Sequence, residues 1–383
     1  METLSVTEAD SKKKIRDFIF LPSQLHKHHQ NWIPPIYADE WRYFNKKKNP
    51  AFSYCDTLIL LARRNNIPVG RIMGIINTRD NRQKNTATAR FSFFDCIDDQ
   101  ETSHLLFAAV ENWAFKKGMD SIIGPFGMYY HDPIGFMVEG FREKPAIATW
   151  YNFEYIINLV EKEGYKADKG LVVYKIPVPG SLPPLYQRLS KKILSNEKLR
   201  LVPFRNKRDI RQYIIPILEL MNETYEDVYG FVPLDRREML ELGSDYIKLI
   251  DPGLLKVVEY DGELAGFMVG MPNLNDGIIR SGGHLFPFGF LKILQAARKS
   301  RQLDLLIGAI KKKYRGLGID VMMGMSMFET AQKRGYLFMD SHLELESNFK
   351  VRAEMEKTGG SIYKRYMIYS KQLTCNKSTN TET

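Results

Sequence analysis

The stretch Lys313-Tyr314-Arg315-Gly316-Leu317-Gly318 carries the sharpest chemistry in the chain. It follows an apolar run of strand length, Gln302–Ile310, and opens a helical pattern over Leu317–Lys333 that Gly335 stops. Glycines let backbone N–H groups approach a ligand closely, and a helix start adds unpaired N–H groups and about half a positive charge. Such a nest binds a pyrophosphate. Between Lys292 and Arg315 stand eight Lys or Arg and one Asp, which increases the attraction for an anion. No Gly-Lys-Ser/Thr follows, so this is not a Walker motif, and the third glycine of the dinucleotide fingerprint is absent. The bland alternative is a tight basic turn.

The elements that must position this loop repeat along the chain. In the first half, Thr57–Arg63 and Val69–Ile76 have strand length and flank the turn pair Asn65-Asn66. Ala89–Phe94 is a third strand. Asp98, with Glu101 three residues on, opens a helix that Gly118 ends, with Leu106, Ala109, Val110 and Trp113 as its apolar stripe. Ile147–Lys175 is expected to run strand, helix, strand, with Gly164 stopping the helix. In the second half come a helix over Ile210–Tyr229 kinked at Pro216, and a hairpin of Leu254–Tyr260 and Leu264–Gly270 around Asp261-Gly262. After the Leu317 helix follow a strand, a helix, Gly359-Gly360 and a last strand to about Tyr369.

Gly70 and Gly266, Asn152 and Asn348, and Gly164 and Gly360 are each 196 positions apart, which argues for two copies of one fold. Gly118 and Gly335 are 217 apart, so the first copy carries about 21 extra residues, roughly Gly124–Lys144, and the second has compensating length before its middle helix. The proline-rich Pro177–Pro184 marks the boundary. The expected organisation is a first domain over 1–180 with the inserted segment 124–144, a linker over 181–193, a second domain over 194–370, and a disordered tail over 371–383. The fold class is α/β, with mixed sheets.

Lys-x-x-Gly-x-Gly after a central strand resembles the Arg/Gln-x-x-Gly-x-Gly/Ala loop of the GCN5-related N-acetyltransferase (GNAT) superfamily, with Lys313 where Arg or Gln is usual. The order of elements is similar to that fold. The resemblance implies that Lys313, Tyr314, Arg315, Gly316, Leu317 and Gly318 hold the pyrophosphate of coenzyme A. It also implies that the strand backbone at Ile307, Gly308 and Ala309 pairs with the pantetheine arm. The matching stretch of the first half, Phe94-Asp95-Cys96-Ile97-Asp98-Asp99, has no glycine and three carboxylates, so that copy is expected to be degenerate.

A narrower resemblance covers nearly the whole chain. Asn31-Trp32-Ile33-Pro34-Pro35, Phe93-Phe94-Asp95, Gly124-Pro125, His131-Asp132-x-x-Gly135, Glu139-Gly140-Phe141 and Trp150-Tyr151-Asn152 look like a bacterial tandem family of acyltransferase-like proteins. Some of its members are associated with ceramide synthesis. Its middle motif usually has Ser, Asn and Glu where Tyr129, His131 and Pro133 stand here. The implied activity is N-acyl transfer, from acyl-CoA or acyl carrier protein, of a long-chain acyl group to a sphingoid-type amine. The acyl-CoA is a cosubstrate, and no metal is expected.

Amide formation needs a proton acceptor for the amine, positioning, stabilisation of the oxyanion and a leaving thiolate. The candidates for the base are Glu344, Glu346 and the His131-Asp132 pair. Glu344 and Glu346 alternate on an expected strand and share a face. Tyr129 is a candidate for substrate binding, as are Tyr225, Glu226 and Tyr229 on the kinked helix that often walls the acceptor site in the superfamily. The superfamily's thiolate-protonating tyrosine would fall near Met355 or Glu356, where none stands. Met322, Met323, Met325 and Met327 fit either an acyl pocket or a helix core.

Composition is that of an ordinary globular chain, with 383 residues, 44% of them hydrophobic, so disorder and collagen-like repeats are excluded. Three cysteines (Cys55, Cys96, Cys375) are too few and scattered for a disulfide framework or a zinc site. No uncharged apolar run reaches about 18 residues, and Met1–Lys14 lacks the apolar stretch of a signal peptide, so a cytoplasmic protein is expected. The net charge of +10 suits acidic partners: a phosphorylated cosubstrate, acyl carrier protein, or an anionic membrane touched peripherally. Nucleic acid is not expected unless the donor is a charged tRNA. Aminoacyl transfer from tRNA, and acyl-CoA binding without turnover, are the alternatives.

Overall fold

The computed structural model describes residues 3–374 apart from 183 and 227. The chain forms two compact units. Unit 1 comprises Met1–Leu171, Gly283–Leu285 and Arg365–Thr383, and unit 2 comprises Val172–Gly282 and Phe286–Lys364.

Unit 1 runs through β1 (Leu4–Glu8), α1 (Lys12–Leu25), α2 (Tyr37–Tyr43), β2 (Cys55–Arg64), β3 (Ile67–Asn77), α3 (Thr78–Lys84), β4 (Thr88–Cys96), α4 (Gln100–Lys116), β5 (Ser121–Gly124), β6 (Phe136–Glu139), α5 (Tyr155–Lys162) and the start of β7 (Lys166–Pro177). Unit 2 takes the rest of β7, then α6 (Pro184–Leu194), β8 (Leu199–Leu201), α7 (Lys207–Thr224), α8 (Arg236–Leu249), β9 (Leu255–Tyr260), β10 (Glu263–Pro272), α9 (Asn275–Ser281) and α10 (Gly289–Lys299). It continues with β11 (Gln302–Ile310), α11 (Ile319–Arg334), β12 (Phe338–Asp340), β13 (Glu344–Leu345), α12 (Phe349–Lys357) and the start of β14 (Ser361–Gln372). Unit 2 therefore begins ahead of the Pro177–Pro184 break, because Lys175–Pro177 pair with β12. Unit 1 is completed by the chain's last strand, whose Tyr369–Gln372 pair with β5.

Both units have a mixed α/β architecture, with sheet order β1-β2-β3-β4-β5-β14 in unit 1 and β7-β12-β11-β10-β9-β8 in unit 2. Each carries the expected hairpin. Asn65 and Asn66 in one, and Asp261 and Gly262 in the other, adopt the left-handed φ that such turns require. Each also has an extra residue in the strand that follows the hairpin. The register of β4 against β3 slips between Arg71 and Met73, and that of β11 against β10 between Val269 and Gly270. A bulge within one to two residues of the equivalent place in both copies is a signature of the repeat that the landmark spacing predicts. The cores are separate. Phe91, Phe94, Leu106, Phe107 and Val110 join β4 to α4 in unit 1, while Val258, Ala265, Ile319, Met322 and Met325 join the sheet to α11 in unit 2.

Several expectations shift. Asp99, not Asp98, caps α4, its carboxylate accepting from the Thr102 N–H at 2.8 Å. Helix α7 spans Lys207–Thr224, with Pro216 inside, and ends before Tyr225. No strand forms at Ile147; there the Asn152 side chain bonds both the N–H and the carbonyl of Met137, standing in for a strand partner. Lys371, expected in a disordered tail, instead lies in β14 with its ammonium on Glu111 at 2.7 Å, and residues 375–383 lie outside the described residues. The four methionines at 322, 323, 325 and 327 are buried in the core beneath α11. Among the described residues, no helix is long and apolar enough to cross a membrane.

Candidate functional site

In unit 2, β11 and β12 run parallel for three rungs, ending at Asp304 opposite Asp340. Beyond that rung β11 continues to Ile310 against β10 alone, so the two strands part and leave one edge of β11 open. The vertex is a fully buried pair of carboxylates. Asp304 accepts from Asn273 (2.9 Å) and Gln302 (2.7 Å), and burial together with the facing Asp340 holds its carboxyl well above the usual carboxylate range. Asp340 accepts from the Lys364 ammonium at 2.9 Å, the His342 N–H at 2.7 Å and the Tyr363 hydroxyl. The parallel ladder ends at this rung.

The open edge includes Ile307, Gly308 and Ala309. The Tyr225 hydroxyl donates to the Gly308 carbonyl at 2.8 Å, bringing a residue expected at the acceptor side onto the strand expected to hold the donor. With α7 ending at Thr224, Tyr225, Glu226 and Tyr229 lie in the following turn rather than on the helix.

The basic loop follows β11 directly. Gly316 and Gly318 have φ of +80° and +87°, a conformation L side chains rarely adopt. A Cβ at Gly316 would meet nothing within 4 Å, whereas one at Gly318 would come within 2.7 Å of Ile193. The loop therefore faces open space at 316 and is packed against α6 at 318. Helix α11 starts at Ile319, two residues later than expected, and no side chain caps it. The N–H groups of Gly316, Leu317 and Gly318 have no acceptor among the described residues. Lys311 (2.6 Å), Lys313 (2.7 Å) and Tyr314 (2.5 Å) all bond the Glu263 carboxylate, which they hold down at about 2. Arg315 is exposed and donates to the Ile310 carbonyl at 3.3 Å.

Three carboxylates of unit 2, Glu344, Glu354 and Asp320, are coupled in sequence. Glu344, on β13, is half-buried, and burial plus the neighbouring Glu354 push its carboxyl up to about 8. Glu354, on α12, is raised to about 7 by burial and by Asp320, with which it shares a hydrogen bond. Asp320 is in the first turn of α11, next to the loop. Glu346 lies past the end of β13, and its carbonyl accepts from Arg352. Near the expected position of a thiolate-protonating tyrosine, Glu356 accepts from the Tyr174 hydroxyl at 2.8 Å, and Met355 packs on the core. Sequence reasoning missed Glu354 and Asp320. A helix-spacing rule could have placed Glu354 near the site, but the carboxyl row depends on how α12 and α11 meet.

Unit 1 holds the same framework, closed by its own chain. Strands β4 and β5 pair only through Arg90 and Ile123, and beyond that the Phe126 N–H bonds the Phe91 carbonyl at 2.8 Å. Arg90 and Asn77 hold the carbonyls of Gly127 (2.9 Å) and Met128 (3.2 Å). Asp95 is buried between His26 (2.9 Å) and Arg71 (3.0 Å), which outweigh the cost of its burial and hold its carboxyl below the usual range. In the inserted segment, Asp132 accepts from the Tyr43 hydroxyl (2.6 Å) and the Tyr129 N–H (3.0 Å), and burial raises its carboxyl. Tyr129 donates to Asn49 at 2.6 Å and stacks on the exposed His131. The structure thus groups Tyr129, His131 and Asp132 in unit 1, and Tyr225, Gly308 and the basic loop in unit 2. Among the described residues, no cluster of His, Cys, Asp or Glu could hold a metal ion.

No known family profile matches the chain. It is 30% identical to the bacterial ceramide synthase of Caulobacter vibrioides over 97% of this chain and 98% of that one. It is 25% identical to protein YghO of Escherichia coli over 95% and 94% of the two chains. Its fold matches a solved tandem GNAT protein from the clavulanic acid biosynthesis pathway with a TM-score of 0.56, at 11% identity, over 98% of this chain and 99% of the other. A duplicated split sheet, one copy open and one closed, is therefore a tandem GNAT acyltransferase fold, and the chain belongs to the bacterial family that includes the Caulobacter ceramide synthase and YghO.

Proposed function

We propose that this acyltransferase moves a long-chain acyl group, from acyl-CoA or acyl carrier protein, to the amine of a sphingoid-type lipid at an anionic membrane surface. The observation that carries the donor assignment is the uncapped start of α11 behind two left-handed glycines, with open space at Gly316. Three free N–H groups, the α11 dipole and Arg315 suit a pyrophosphate. Lys313 reaches one only by sharing its charge with Glu263. The amine assignment rests on the Caulobacter relative.

When bound, the donor supplies an activated thioester carbonyl. The open edge of β11 offers backbone groups at Ile307–Ala309 to orient the acyl-bearing arm, as an added strand would. Tyr225, fixed to Gly308, sets the wall on which the acceptor rests. Glu344 is assigned as proton acceptor for the amine: a carboxyl raised to about 8 is poised near the pH at which an ammonium must be deprotonated. Burial and Glu354 keep it there, and Asp320 raises Glu354 in turn. Asp132 is assigned to holding the turn of the inserted segment, since Tyr43 and Tyr129 already engage it.

Incubating the purified protein with palmitoyl-CoA and sphinganine tests this, reading free thiol and the N-acyl product by mass spectrometry. Stoichiometric thiol and amide are expected. Palmitoyl-CoA binding without thiol release would favour a binding protein instead, and product formed only from aminoacyl-tRNA would replace the donor.

A further inference from the structure

The two copies differ sharply in the connection between the hairpin and the strand with the bulge. In unit 1 residues 78–87 make this link, with the short polar helix α3. In the second copy residues 273–301 make it, folded as α9 and α10, with only Gly283–Leu285 belonging to unit 1. This is the compensating length that the sequence places before the middle helix, and apart from Asn273, which bonds Asp304, the donor site uses none of it.

The hairpin is apolar on the outside. Gly277 of α9 packs so closely on α10 that a Cβ there would lie 2.5 Å from the Ile293 backbone and 3.0 Å from the Ala296 side chain. That fixes the inward face of α10. On the helical wheel Leu291 and Leu294 fall on the opposite face and Phe290 on its flank, and all three are exposed. The loop before them adds Phe286 and Phe288, 82% and 66% exposed. Aromatic and leucine side chains this exposed and this contiguous mark an interaction surface. Cations surround them: Arg280, Lys292, Arg298 and Lys299 are exposed, and Asp276 is the sole acid between Asn275 and Arg301.

We propose that the α9–α10 hairpin docks unit 2 onto an anionic bilayer. Phe286, Phe288, Phe290, Leu291 and Leu294 enter the boundary between headgroups and acyl chains, and the flanking cations meet lipid phosphates. An apolar face with a basic rim is the pattern of an interfacial helix. A second copy of the chain would bring like charges together around the same face, and an acidic carrier protein would engage the cations but not this large apolar cap. The proposal takes its lipid partner from the reading above, but the docking is measured without any acyl donor or amine.

The test is flotation of the full chain with phosphatidylcholine vesicles, with and without phosphatidylglycerol. Binding to the phosphatidylglycerol vesicles is expected. The triple variant Phe286→Ala, Phe288→Ala, Leu294→Ala should bind at least about tenfold less while keeping its melting temperature. The pair Arg298→Glu, Lys299→Glu should remove the preference for phosphatidylglycerol. In Phe288→Trp, emission should shift to the blue on binding and be quenched by brominated lipid. A wild-type chain that fails to float, or a triple variant that floats equally well, overturns the proposal. So does a triple variant whose only change is loss of a dimer in sedimentation. A chain that floats as described but transfers no acyl group leaves the docking standing and removes the reading above.

Discussion

The starts of α4 and α11 occupy the same place in the repeat and have opposite chemistry. Before α4 the chain offers Asp95, Asp98 and Asp99, and Asp99 caps the helix itself. Before α11 it offers glycines and cations, and the cap is missing. A helix start whose N–H groups already have a carboxylate has little left to give a phosphate, while one without a cap has its donors and its dipole available. The splits differ in the same sense. Unit 1 fills its gap with Phe126–Met128 and an internal ion cluster, and unit 2 leaves β11 open beyond Asp304.

The strongest way to sharpen this contrast is through unit 2. Glu344→Gln should lower kcat by about 10²–10⁴-fold without changing donor affinity. The wild-type rate should rise with pH through an apparent pKa near 8, and the variant should lose that limb. Stability gives a second readout. Glu344 has a folded pKa of about 8 against an ordinary 4.5, so it binds its proton more tightly folded than unfolded. Its contribution therefore turns progressively unfavourable as pH rises from 4.5 to about 8. Glu344→Gln should gain stability relative to the wild type across that window in chemical denaturation series. A constant difference would remove the buried-carboxyl assignment.

Unit 1 should respond in stability alone. Asp95→Asn leaves Arg71 buried without its partner, a loss of about 3–5 kcal/mol, with coenzyme A affinity unchanged in the folded protein. If affinity falls while the fold holds, unit 1 is not the closed copy described here. A smaller effect is expected at Gly316→Val. The space is free, but the φ of +80° is strained for a β-branched residue, so about 1–3 kcal/mol of stability should go, along with at least about tenfold of coenzyme A affinity by calorimetry. Asp99→Ala is the mildest, about 1 kcal/mol by thermal unfolding, for the lost cap of α4.

Much of this contrast is legible in the sequence because it depends on local chemistry. Turn pairs such as Asn65-Asn66 and Asp261-Gly262, and the Gly316-x-Gly318 loop, announce their own backbone conformation. The contrast of acids with glycines before the two middle helices needs no tertiary knowledge. What the sequence hides are effects that arise only on packing. The rise of Glu344 depends on Glu354, ten positions away, and on burial. The facing of Asp304 and Asp340 depends on a parallel register between distant strands. The division of β7 and β14 between the two units is invisible because both strands look like ordinary ends of their own halves. The amphipathic pattern of α10 misleads because its apolar residues Leu291 and Leu294 point out, the reverse of the usual expectation.

Titrating the purified chain with coenzyme A in a calorimeter measures directly whether one copy binds the donor and the other does not. One site per chain is expected, abolished or strongly weakened in Gly316→Val and retained in Asp99→Ala. Two sites per chain, or one site that survives Gly316→Val at full affinity, would contradict it.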